Sequence, residues 1–142
     1  MIIPEPVPGL VIGYSYLWLR EAEAGQEEGL KDRPCAIILV SADEAKRKIV
    51  QVLPITHSSP TDPADAIAIP PETKKRLGLD SESSWIMISE LNDFTWPGPD
   101  LRPIKGSDKA AYGFLPPRFF NFVRERYIAL HNARRSMQVR RT

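Results

Sequence analysis

Apolar positions fall into short runs separated by polar stretches marked with glycine and proline, and their periods differ along the chain. Residues 10–19 (LVIGYSYLWL) are rich in β-formers and predict a strand. The following REAEAGQEEGLKD holds two glycines and seven charges and predicts a long solvated loop. Residues 34–41 (PCAIILVS) are almost continuously apolar, the pattern of a strand buried on both faces. A polar connection leads to a further strand over 49–55 (IVQVLPI), then to a loop, THSSPTDPAD. A short strand over 66–69 follows. Pro70-Pro71-Glu72 opens a short helix that Gly78 stops. Residues 85–91 (WIMISEL) predict the fifth strand, and FTWPGPDLRPI an extended segment with one more edge strand. After Pro116-Pro117 the period changes. Phe119, Phe120, Val123, Tyr127 and Leu130 recur at helical spacing and form one apolar face.

Strands first and a helix last, with no βαβ alternation, predict a mainly β fold: a small antiparallel barrel with appended helices. A chain of 142 residues fits one domain spanning 1–142, with its core over about 8–131. No run of eighteen apolar residues occurs, so no membrane-spanning helix is expected. MIIPEPVPG has no basic region and three prolines, unlike a signal peptide. Cys35 is the lone cysteine, which suits a reducing cytoplasm and a place in the core.

Charge changes the picture once it is divided. The chain carries 19 Lys+Arg and 18 Asp+Glu, but residues 118–142 hold seven arginines and Glu125 alone. The first 117 residues are therefore net acidic. The basic tail can be read as a nucleic-acid contact or as a frayed, solvated terminus. The second reading is expected for 132–142.

Phosphate-loop, HExxH, CxxC and GxSxG patterns are missing, and His57 and His131 lie in unlike segments, so neither a metal nor a cofactor is expected. What remains is an ordered set: Lys31-Asp32-Arg33-Pro34 opens one strand, and Pro54-Ile55-Thr56-His57 closes the next. If those strands are antiparallel neighbours, Arg33 and Thr56 meet at one edge of the sheet. A guanidinium grips phosphate bidentately, a hydroxyl can bond the same group, and a nearby carboxylate or imidazole can move a proton.

The segments PGLVIGYSYLWL, GQEEGLKDRPCAIILV and VQVLPITHSS, followed by KKRLGLD and WIMISEL, resemble the MazF/PemK (Kid-like) toxins of toxin–antitoxin systems. The resemblance covers roughly residues 8–130. It implies an SH3-like or CcdB/MazF-type barrel, a cytoplasmic homodimer and an antitoxin partner. It also implies metal-independent cleavage of single-stranded RNA, the ribose 2′-OH attacking the phosphate to give a 2′,3′-cyclic phosphate and a 5′-OH. Carried over, Arg33 stabilises charge on the phosphate, Thr56 holds it, and Glu28 or His57 transfers protons. Lys31, Ser58, Asn92 and Trp96 are the expected RNA contacts. Trp18 and Trp85 are expected in core or interface.

The chain also departs from the family pattern. His57 follows the threonine where a hydroxyl is usual, and Glu90-Leu91-Asn92 replaces a Gln-plus-basic pattern. The alternative is the same barrel without nuclease activity, binding a protein or nucleic acid.

Overall fold

The alternation of the two longest strands sets the architecture. In the computed structural model, which describes residues 1–25, 29, 31–133 and 137–141, β2 (Arg33–Ala42) and β3 (Lys48–Thr56) form an antiparallel hairpin. Cys35 and Ile37 point into one apolar cluster with Val50 and Val52, whereas Ala36 and Ile38 point into another with Leu53 and Ile55. Both faces of the hairpin are thus covered, which is why residues 34–38 alternate so little in sequence. The pattern ends at a register shift between Ile37 and Leu39, and Leu39 is exposed.

The remaining elements extend this hairpin. β1 (Leu10–Tyr14) pairs with β2, and β7 (Ala111–Phe114) pairs with β1. On its other edge β3 has two partners, β6 (Glu90–Thr95) along 49–52 and β5 (Trp85–Met87) at 55–56. Pro54, which has no N–H to give, lies at the handover between them. β4 (Ala66–Ala68) completes that edge beside β5. The molecule is therefore mainly β with appended helices. Its eight strands form one sheet that does not close into a barrel: among the described strands β7 and β4 remain opposite ends of the pairing path.

The helices obey the proline signals. α2 (Pro71–Arg76) and α3 (Pro117–Asn132) both begin with proline in the first turn, where its missing N–H is no loss. Gly78 ends the α2 segment at φ 72°, a conformation that disfavours any side chain. On α3, Val123, Tyr127 and Leu130 are buried, with Phe119 and Phe120 packed beside them, against the cluster on the Ala36 face.

Four expectations need correction. The acidic stretch after residue 18 is not all loop: α1 (Leu19–Glu23) forms, and Glu21 is buried because its carboxylate accepts the Trp18 amide proton at 3.0 Å, closing the first turn. The segment WIMISEL is two strands rather than one, since β5 ends at Met87 and β6 starts at Glu90. β7, in AYGF, is a strand that the sequence reading lacked. Finally, the arginine-rich end does not fray throughout. β8 (Met137–Arg140) lies parallel to β6, the one parallel pair among the described strands. Arg141 follows it into the interior, its side chain only 3% exposed. Its guanidinium meets Asp100 at 3.1 Å, Asn92 Oδ1 at 2.8 Å and the Ser15 carbonyl at 3.2 Å. The buried Asp93 accepts from Gln138 and lies 3.6 Å from Arg140. Carboxylates and an amide that would otherwise be buried unpaired give the tail its partners.

Candidate functional site

Strand parity brings the predicted pair together. Cys35 lies opposite Pro54, so continuing that register by two residues sets Arg33 level with Thr56. Both then continue the sheet face that carries Cys35 and Val52. The Arg33 guanidinium reaches across to the Ile55 carbonyl at 3.4 Å. Thr56 is nearly buried, and its hydroxyl oxygen accepts the Ser58 amide proton at 3.2 Å, forming the turn that starts the next loop. That bond uses a lone pair and leaves the hydroxyl proton to be donated.

A cleft of about 450 Å³ opens here, lined by Trp18, Arg20, Lys31, Arg33, Thr56 and Ser58 among others. Three cations and several hydroxyls surround one aromatic face. The guanidinium carbons of Arg33 and Arg20 stand 5.1 and 5.2 Å from the centre of the Trp18 ring. Arg33 is half-buried. Burial lowers its pKa from the ordinary arginine value, which still leaves it charged at any working pH. Its buried Nε has no hydrogen-bond partner, and no described carboxylate lies within ion-pair distance of it.

A second cleft, of about 440 Å³, adjoins the first. Lys31, Arg33 and Thr56 line both, so they form the ridge between them. His57, Asp80, Lys105 and Tyr112 belong to the second cleft. His57 Nε2 lies 2.8 Å from Asp80 Oδ2 and 3.8 Å from Glu82. These three residues have the spacing of metal ligands, their donor atoms lying within 4.8 Å of one another. Asp80 already meets a cation, however, because Lys74 Nζ sits 2.7 Å from its other oxygen. The grouping is an ion network complete in itself.

The other predicted contacts divide. Lys31 and Ser58 line the first cleft. Glu28 lies outside the described residues. Asn92 is fully buried: its amide accepts from the Leu17 N–H at 2.9 Å and donates to the Leu17 carbonyl at 2.8 Å. It presents no atom to a ligand but clamps the backbone that carries Trp18. Trp96 packs beside Phe94 at 6.0 Å between centroids, against the cluster on the Cys35 face, and does not line the first cleft. Trp18 lines it in its place. A signal for this lay in the sequence: Asn92 alternates with the core residue Phe94, so both face inward, whereas Trp18 directly precedes the charged turn.

The Trp18 segment is held from a second side. Glu90 Oε1 accepts from the Leu19 amide and from the Tyr16 hydroxyl, both at 3.0 Å. Burial raises the Glu90 carboxyl above its usual range despite those bonds. A Cβ on Gly29 would collide with the Tyr16 carbonyl oxygen, so only glycine lets the loop pass there. No protein-family model matches the chain, and comparison with curated proteins gives no match either.

Proposed function

We propose that this protein is an endoribonuclease that cleaves single-stranded RNA at the Arg33–Thr56 ridge, acting as the toxin of a toxin–antitoxin pair. The observation that carries the reading is an arginine with unused donors, level with a hydroxyl, beside an aromatic face in a cationic cleft. Phosphate needs the first two, and an unstacked base needs the third. In the reaction the ribose O2′ bonds to phosphorus and loses its proton, while the P–O5′ bond breaks and O5′ gains one. Charge builds on the non-bridging oxygens. Arg33 would meet that charge with preorganised N–H groups, and Thr56 would donate to one of the same oxygens. The cations are few and local, so binding depends on a short stretch of RNA. The homodimer and the antitoxin belong to the same proposal.

A second reading, binding without cleavage, is favoured by one observation: Glu21, the described carboxylate of the first cleft, already caps α1. The test is incubation of the purified protein with mixed-sequence RNA in EDTA. Fragments with 5′-OH and cyclic-phosphate ends support cleavage. RNA that is bound but intact at high protein concentration supports the second reading instead.

A further inference from the structure

The charged network beside the ridge is more ordered than a solvated surface requires. His57 and Asp80 are each about half exposed, their side chains 46% and 49% accessible, yet they meet at 2.8 Å. The order comes from behind. Lys74 on α2 has a side chain only 6% exposed, and its ammonium donates to Asp80 Oδ1 at 2.7 Å and to the Glu82 carbonyl. The Glu82 amide donates to the same Oδ1 at 3.1 Å. One oxygen of Asp80 is thereby held by a buried cation and a backbone amide, leaving the other for His57.

This division fixes the chemistry of the histidine. The hydrogen bond from Lys74, with the nearby charges of His57 and Lys74, holds the Asp80 carboxyl below its usual range. An ionised carboxylate only accepts, so His57 Nε2 must be the donor. Neutral His57 then carries its proton on Nε2 and a lone pair on Nδ1. Among the described residues Nδ1 has no partner. The charged and titratable groups around the imidazole are Asp80 and Glu82 on one side, and Lys31, Asp32, Arg33, Lys105 and Tyr112 in the second cleft.

We propose that Asp80 and Lys74 are positioning residues that hold His57 as the proton-transfer group of the ribonuclease, with Nδ1 as its working atom. This inference rests on the nuclease reading. Nδ1 takes the 2′-OH proton as O2′ bonds to phosphorus. The electron pair of the breaking P–O5′ bond leaves on O5′, which is protonated from water. His57 then returns its proton to solvent. Lys74 touches no substrate; it acts through Asp80, and Asp80 acts through His57.

The test uses Asp80→Asn, an exposed and nearly isosteric change. Lys74 can only donate, so it claims the amide oxygen and turns the amide N–H₂ toward His57. That reverses the tautomer to one with the proton on Nδ1. Imidazole ¹⁵N NMR near neutral pH should show Nε2–H in the wild type and Nδ1–H in the variant. Cleavage should fall about 100-fold in kcat with KM little changed, and Asp80→Asn should add nothing in a His57→Ala background. A tautomer that does not change, or an equal loss in the His57→Ala background, overturns the positioning role while leaving the nuclease standing. A wild type that never cleaves RNA overturns both.

Discussion

Two arginines, Arg33 over the Trp18 ring and Arg141 on the Ser15 carbonyl and Asn92, are treated in opposite ways. Arg141 is almost wholly enclosed and is met by a carboxylate, an amide oxygen and a carbonyl. Arg33 is only half enclosed, has a buried Nε with no partner, and makes one long bond to the Ile55 carbonyl among the described residues. A guanidinium removed from water normally has its donors satisfied. Arg141 follows that rule and holds the fold together. Arg33 breaks it at the mouth of a cleft, which is the arrangement a ligand anion would complete.

The largest expected effect separates the two at once. Arg33→Ala should lower RNA cleavage by about a hundredfold to a thousandfold, the usual loss when a transition-state donor is removed, while leaving the urea midpoint nearly unchanged. Single-turnover rates beside an unfolding curve check both halves.

Arg141→Ala should do the reverse. It strands Asp100 and removes one of the two donors to the Asn92 oxygen, and breaking a buried pair costs about 3 kcal/mol, read as a lower urea midpoint. Because Asn92 clamps Leu17 next to Trp18, RNA affinity should also weaken slightly. An Arg141→Ala protein as stable as the wild type would remove the contrast.

Trp18→Ala comes next. Loss of one stacking face costs about 1–3 kcal/mol of binding, so KM or Kd should rise about tenfold or more with kcat at saturation little altered. Trp96→Ala should leave RNA affinity unchanged, since Trp96 does not line the first cleft.

The smallest effect concerns Glu90. Its folded pKa lies above the ordinary carboxylate value because burial disfavours the charge. The folded state therefore holds its proton at pH values where the unfolded chain has lost it. That contribution to stability is complete below the unfolded pKa and disappears as pH rises through the folded one. Glu90→Gln should flatten this downward slope of stability above about pH 4.5, measured by denaturation at several pH values.

These contrasts also explain what the sequence discloses. Local patterns carried the fold well: the double-sided run of β2, the apolar face of α3 and the proline-opened α2 each depend on residues adjacent in the chain. The meeting of Arg33 and Thr56 followed from strand order alone. Signals that join distant residues were lost. The tail looked solvated because its partners, Asn92, Asp93 and Asp100, lie between 41 and 49 residues earlier. Glu21 looked like surface acid because its role is to cap a backbone amide. Asn92 reads as an RNA contact only through the resemblance, at the place of the Gln-plus-basic pattern, whereas here its amide replaces a backbone partner for Leu17.

The contrast between the arginines is tested most directly by ¹⁵N NMR of their side-chain Nε–H groups during titration with an RNA oligomer that carries 2′-deoxyribose at the attacked positions. The account predicts that the Arg33 Nε–H resonance shifts and saturates with the RNA while that of Arg141 stays in place. An Arg33 resonance that does not move when the RNA is fully bound would contradict it.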